Sequence, residues 1–153
     1  MKGLVQRVSE ASVEVGGREI SRIGAGILLL LGVEQGDGDR EAKDLCRKVL
    51  TYRIFPDDTG RMNRSVLDTD GALLVVPQFT LAADTSSGTR PGFSRAAGPD
   101  FAVDLYAAFL QFARADMSAD RVAEGCFGAD MKVSLINDGP VTFMLSTRDR
   151  HGR

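Results

Sequence analysis

Ser12-Val13-Glu14-Val15-Gly16-Gly17-Arg18-Glu19-Ile20-Ser21-Arg22-Ile23-Gly24-Ala25-Gly26-Ile27-Leu28-Leu29-Leu30-Leu31 reads as three strands in a row. Ser12 to Val15 alternates polar and apolar residues, the pattern of a strand with one wet face. Gly16-Gly17 is a two-residue hairpin signal, and Arg18 to Ile23 is the returning strand. Gly24-Ala25-Gly26 turns the chain again. Ile27 to Leu31 is an unbroken apolar run between glycines, which suits a strand covered on both faces.

Upstream, Leu4 to Val8 reads as one more short strand. Downstream, Asp37-Gly38-Asp39 is placed to cap a helix running from about Arg40 to Tyr52. Ala42, Leu45, Cys46, Val49 and Leu50 share one stripe of that helix, so Cys46 is expected in the core. Ile54-Phe55 begins a strand, and Pro56 to Gly60 is a turn. Val66 to Thr69, Asp70-Gly71 and Ala72 to Val76 read as a second hairpin. Ala82 to Asp100 is a loop rich in Gly, Ser, Thr and Pro, and loops of that length in a compact domain are often functional. Phe101 to Met117 is a second helix, with Phe101, Leu105, Phe109 and Phe112 on its buried stripe. Lys132 to Asn137 and Val141 to Thr147 are two closing strands. Two helices and about seven strands, not interleaved one for one, predict a mixed α/β fold. Its sheet is mainly antiparallel, or an open β-barrel, with the two helices packed on it.

The 153 residues fit one domain, expected over 1–147, with a polar tail over 148–153. Apolar residues make up 43% and charged residues 26%, as in ordinary soluble globular chains. No apolar run is long enough to span a bilayer. The opening Met1-Lys2-Gly3-Leu4-Val5-Gln6-Arg7 is too polar for a signal peptide, so no membrane and a cytoplasmic location are expected. Cys46 and Cys126 lie far apart and outside any CxxC pair, and both are expected as reduced, packing thiols. A net charge of −2 argues against a general nucleic-acid coat, though not against a protein gripping one RNA end. The single histidine, His151, sits in the tail. A Ser-His-Asp triad or a His-ligated metal needs a fixed imidazole, so neither is expected, and no cofactor or metal is called for. Any catalysis must run on backbone groups, hydroxyls, carboxylates or the substrate itself.

Two segments carry unusual chemistry. Pro77-Gln78-Phe79-Thr80-Leu81 ends the apolar strand before it. Pro77 cannot donate to a ladder, so the sheet is expected to break there and expose Gln78 and Thr80 beside an opening. Asn137-Asp138-Gly139-Pro140-Val141-Thr142 joins two strand signals. A tight hairpin wants a free N–H after its glycine, and Pro140 removes it. Gly139 and Pro140 can therefore aim two carbonyls in a direction that a plain turn does not. A strand leaving through a proline bend, and a turn without function, account for the same residues structurally.

With Val5-Gln6-Arg7-Val8, Arg53-Ile54-Phe55, Met62-Asn63-Arg64-Ser65-Val66, Arg90-Pro91-Gly92-Phe93-Ser94 and Phe127-Gly128-Ala129-Asp130-Met131, these segments resemble the D-aminoacyl-tRNA deacylases over nearly the whole chain. The resemblance implies a homodimer with the active site at the subunit interface and the 3′ end of aminoacyl-tRNA as its substrate. It implies a cis Gly139-Pro140 dipeptide that enters the partner subunit's site as a chiral gate, passing D-residues and glycine and rejecting L side chains. It further implies that Arg7 braces the dipeptide, with Asn137 and Pro77 in supporting positions. Gln78, Phe79 and Thr80 would then line the pocket for the ester and terminal adenosine. The implied reaction is ester hydrolysis, with backbone N–H groups near Phe79 and Thr80 holding the oxyanion and the substrate 2′-hydroxyl assisting water. Thr80 as a covalent nucleophile is the rival mechanism. A non-catalytic RNA-end or protein-binding module, and a thiol enzyme using Cys126, are rival functions. One position departs from the family, which usually has Ser where this chain has Pro77. A related animal group with a looser, trans Gly-Pro gate has Pro there but lacks the phenylalanine kept here as Phe79. Relaxed chirality is the consequence to test.

Overall fold

The computed structural model describes residues 1–148. His151 and all but the first residue of the expected tail lie outside the described residues. Strand β1 (Lys2–Val15) is one continuous element of 14 residues, where two short strands were expected. It runs through Ser9 because its partner at the far end of the chain is equally long. Strand β8 (Met131–Ser146) pairs antiparallel with nearly all of β1, and the register slips near Ser9 so that the strand bends without ending. The two closing strands expected on either side of Gly139-Pro140 are thus a single ribbon.

On its other edge, β1 pairs antiparallel first with β3 (Gly26–Gly32) and then with β2 (Arg18–Ile23). The Gly16-Gly17 hairpin forms as its composition requires, with φ of 58° and 79°, a conformation that needs glycine. Strand β3 is almost wholly buried, as its apolar run implies.

The second expected hairpin does not form. Residues 66–70 make turns, with the Asp68 carboxylate accepting from the Ser65 N–H at 2.8 Å. Arg121 holds the segment by donating to the carbonyls of Gly71 and Val66 at 2.9 and 3.1 Å. Strand β6 (Ala72–Pro77) instead runs parallel to β3, and β7 (Val122–Glu124) runs parallel to β6. The turn-like dipeptide Asp70-Gly71 was misleading because the burial of Leu73 to Val76 demands a central strand, which a free hairpin cannot supply. A small side ribbon pairs β4 (Phe55–Pro56) with β5 (Met62–Arg64).

Helix α1 (Asp39–Thr51) buries all five residues of its expected stripe. Asp37 does not cap it. The Glu41 carboxylate accepts from the Gly38 N–H at 2.9 Å, and Asp37 instead accepts from the Met1 amino group at 2.7 Å and the Glu34 N–H at 2.7 Å. Helix α2 (Pro99–Asp116) starts on Pro99, whose missing N–H costs a helix start nothing. It buries Ala102, Leu105, Tyr106, Phe109, Leu110 and Ala113, while Phe101 is exposed and Phe112 only half-buried. The stripe is rotated because the small Ala102 and Ala113 let the helix lie close to α1 and the sheet.

Two cores result. One fills the space between the helices and the sheet, centred on Phe109, Leu45, Leu29 and Val75. The other lies inside the curled sheet, where Val8, Val13, Ile23, Leu28, Leu74 and Val76 meet. The whole is a mixed, nearly closed barrel-like sheet with two helices on one face.

Candidate functional site

Strand β6 delivers the first group of site residues. The ladder does not break at Pro77: Pro77 pairs with Leu31, and the Gln78 N–H still donates to Leu31 O at 2.8 Å. Even-numbered residues of β6 aim their N–H groups at β3, so Pro77's missing donor falls on the β7 side. On that side the last pair is Val75 with Glu124, and the last bond runs from the Gly125 N–H to Val75 O at 2.9 Å. The proline thus leaves the β3 ladder whole and coincides with the end of the β7 ladder.

After Gln78 the chain enters a 3₁₀ turn, Phe79–Ala82, closed by the Leu81 N–H on Gln78 O at 3.2 Å. The N–H groups of Phe79 and Thr80 precede that first closing bond, so the turn supplies them no acceptor. Phe79 is 60% exposed, an unusual position for a phenylalanine. The Gln78 side-chain amide donates to Thr80 Oγ1. An amide cannot take a proton from that hydroxyl, and among the described residues no carboxylate or imidazole hydrogen-bonds to it.

Two cavities flank this turn. One of about 270 Å³ is mainly apolar and is bounded by Pro77, Phe79, Pro99, Ala102, Phe127 and Gly128. The other, about 260 Å³, shares Pro77, Phe79 and Gly128 and extends over Gln78 to Met131 and Val133. A larger hollow of about 430 Å³ lies elsewhere, beside Asp37, Arg40, Asp44 and Arg148. Of its acids Asp37, Glu41 and Asp44, Asp37 is engaged by the Met1 amine.

The second group is built on β1 and β8. Val8 pairs with Asn137 and Gln6 with Thr142, so Asp138, Gly139, Pro140 and Val141 bulge out opposite Arg7 alone. Arg7 Nε donates to Asp138 O at 2.8 Å, and Nη1 donates to Ile54 O at 2.7 Å. Asn137 closes the base of the bulge: its Oδ1 accepts from the Val141 N–H at 2.7 Å, and its Nδ2 donates to Thr142 Oγ1 at 2.9 Å. The Gly139–Pro140 peptide is cis, and both residues are exposed. A Cβ on Gly139 would stand 2.6 Å from Val141 Cγ2 and 2.8 Å from Val141 N, so a side chain there collides with the next turn of the bulge, and the φ of 150° disfavours one as well.

The expected site residues thus fall in two places on one chain. Pro77, Gln78, Phe79 and Thr80 stand together at the cavities; Arg7, Asn137, Gly139 and Pro140 stand together on the bulge, and neither cavity reaches them. Sequence reasoning missed Phe127, Gly128 and Pro99 as walls. Phe127 and Gly128 fall within a stretch that carried the family resemblance, but their residue types announce no chemistry. Cys126 is exposed, among the described residues no base hydrogen-bonds to its thiol, and its N–H lies 3.4 Å from Met131 Sδ. Cys46 is buried among apolar side chains, which pushes its thiol up to about 12.

The family described as D-Tyr-tRNA(Tyr) deacylase matches residues 4–146. A curated relative from Marinobacter nauticus, named D-aminoacyl-tRNA deacylase, is 67% identical over 98% of this chain and 96% of its own length. One of the same name from Ruegeria sp. is 55% identical over 98% and 95%. A solved structure of a protein named c-Myc DNA Unwinding Element Binding Protein superposes with a TM-score of 0.93 at 41% identity, covering 96% of this chain and 99% of that one. A second, described as a probable eukaryotic D-amino acid tRNA deacylase, has a TM-score of 0.79 at 17% identity and shares the fold.

Proposed function

The chain belongs to the D-Tyr-tRNA(Tyr) deacylase family, and from that premise we propose that it hydrolyses the ester between a D-amino acid and the 3′ end of tRNA, as a proofreading step. The observation that carries this reading is the pair of N–H groups on Phe79 and Thr80. They open a 3₁₀ turn at the lip of an apolar cavity, and none of the residues lining that cavity is a nucleophile paired with a base. Donors placed where charge develops stabilise a tetrahedral intermediate without any proton transfer. Water adds to the ester carbonyl carbon, and the carbonyl oxygen becomes the oxyanion held by these two groups. The bond to the ribose 3′-oxygen then breaks, and the water proton passes to that oxygen through the neighbouring 2′-hydroxyl. Thr80 serves as a wall residue whose hydroxyl is fixed by Gln78.

Selection for chirality falls to Gly139 and Pro140. Their bulge projects from the protein, away from their own chain's Phe79 cavities, and is braced by Arg7 and Asn137. In a homodimer, the bulge of one copy reaches the cavity of the other. Its carbonyls accept from the substrate ammonium and leave no space for an L side chain. Glycine has no side chain to reject and passes. Among the described residues no helix is long and apolar enough to cross a membrane, in keeping with a cytoplasmic enzyme acting on tRNA.

Purified protein incubated with D-Tyr-tRNA and L-Tyr-tRNA tests this directly. Release of D-tyrosine alone is expected. Release of neither at high protein concentration sinks the hydrolase reading and leaves a nucleic-acid-binding module, in line with the DNA-binding name of the 41%-identical protein. Equal release of both removes the gate and points to relaxation at Pro77.

A further inference from the structure

The loop of residues 83–98 adds only Ala97 to the lining of the 270 Å³ cavity, yet it is pinned by backbone hydrogen bonds along its length. Asp84 and Gly92 exchange two backbone hydrogen bonds of 2.7 and 2.9 Å, closing the tip. The Gln35 N–H donates to Arg95 O at 2.9 Å, and the Ala97 N–H to Val33 O at 3.1 Å. A loop held this way presents its side chains in a fixed arrangement, which lowers the ordering cost of binding.

What it presents is an aromatic ring between two cations. Phe93 is 43% exposed, and its ring lies 5.5 Å from that of Phe79, tilted by 42°. Arg90 and Arg95 are exposed on either side of it in sequence. Arg95 stands 3.9 Å from Asp84, whose carboxyl is held below the usual range first by hydrogen bonds from Ser86 and then by Arg95 and Lys2. Two exposed guanidinium-bearing residues within three positions of an exposed ring fit a single-stranded polynucleotide, in which flat bases alternate with phosphates. Because the whole chain carries a net charge of −2, binding must come from this local cluster and not from a general basic surface.

Resting on the deacylase reading above, we propose that this loop docks the unpaired nucleotides immediately inside the tRNA 3′ terminus, with Phe93 stacking on a base and Arg90 and Arg95 gripping flanking phosphates. The terminal adenosine ester lies at Phe79. The next base inward meets Phe93, one ring away. Charge complementarity selects this occupant over an apolar protein partner.

The test compares two D-tyrosyl esters, on full tRNA and on adenosine alone. The double variant Arg90→Ala/Arg95→Ala is expected to hydrolyse D-tyrosyl-adenosine at the rate of the unchanged protein. On D-Tyr-tRNA its kcat/KM is expected to fall at least about tenfold at low salt, mainly through KM, and its salt slope to drop by about 1.4, two single-strand phosphates at roughly 0.7 each. Arg90→Glu is expected to fall further on tRNA alone. Equal losses on both esters, or no loss and no slope change on tRNA, overturn the proposal. So does a changed sedimentation mass, which would assign the loop to contact between copies. If the unchanged protein cleaves neither ester, the deacylase reading fails by itself. The dock is then read from binding of uncharged tRNA, which the arginine variants must weaken if the proposal stands.

Discussion

Arg7 bridges two elements that share no other bond at this point. Its Nε holds the bulge carbonyl of Asp138, and its Nη1 holds Ile54 at the end of the α1 segment. Lysine keeps the charge but has no planar fork to reach both carbonyls. Arg7→Lys is therefore expected to lower D-over-L discrimination by about 10-fold or more, the worth of a charge-assisted hydrogen bond of roughly 1.5–3 kcal/mol, and to lower the melting temperature by several degrees, since the same bond holds the folded bulge. Rates on D-Tyr-tRNA and L-Tyr-tRNA measure the first effect and a melting curve the second. Thr80→Ala is expected to retain measurable hydrolysis because the backbone N–H groups remain; complete loss with the fold intact would favour covalent chemistry. Of the two thiols, Cys126 is exposed, and burial raises the Cys46 thiol to about 12. A thiol reagent under native conditions near neutral pH is expected to label one cysteine per chain, and Cys126→Ala to label none while hydrolysis continues.

Elements set where those residues stand. Strand β3 comes so close to β6 that a Cβ on Gly26 would collide with the Ala72 carbonyl. Gly26→Ala must spread the parallel pair that aims Gln78 and Phe79, and it is expected to yield little folded protein, read by far-UV circular dichroism and solubility. Helix α2 is anchored on the same strand. Phe109 is fully buried, and Tyr106 Oη donates to Val75 O at 2.8 Å, two residues before Pro77. Phe109→Ala is expected to cost about 3–5 kcal/mol by cavity formation, and Tyr106→Phe about 1 kcal/mol for one lost hydrogen bond, both from denaturant titrations.

At the scale of the whole molecule, the two site groups lie apart on one chain, which makes subunit exchange the informative experiment. A Phe79→Ala chain lacks a working cavity, and a Gly139→Trp chain blocks the cavity its bulge enters. If the bulge acts in trans, a mixed dimer pairs the intact cavity of one copy with the intact bulge of the other. Refolding the two inactive variants together at equal amounts is then expected to restore about a quarter of the sites, since half the dimers are mixed and each holds one good site in two. No restoration would place the bulge in its own chain's site or make the protein a monomer. Analytical ultracentrifugation supplies the mass.

The sequence alone determined what depends on local periodicity and residue type. Both helices, the Gly16-Gly17 hairpin and the buried β3 run were legible because side-chain spacing and glycine's free φ act within a few residues. The absence of a histidine from the folded core of the sequence also set the chemistry toward backbone groups before any geometry was known. Only the tertiary structure decided what depends on partners distant in the chain. It joined Leu4–Val8 to Ser12–Val15 through pairing with β8. It turned the expected hairpin at Asp70-Gly71 into a parallel crossover strand, and it rotated α2 so that Phe101 faces out. It also showed that Pro77 leaves the β3 ladder whole, since its missing N–H falls on the β7 side, where the ladder ends. The site followed the same division. Gln78, Thr80, Gly139 and Pro140 stood out by their own chemistry, and Phe79 through the family resemblance. Phe127, Gly128 and Pro99 are apolar wall residues, whose roles come only from what folding brings beside them.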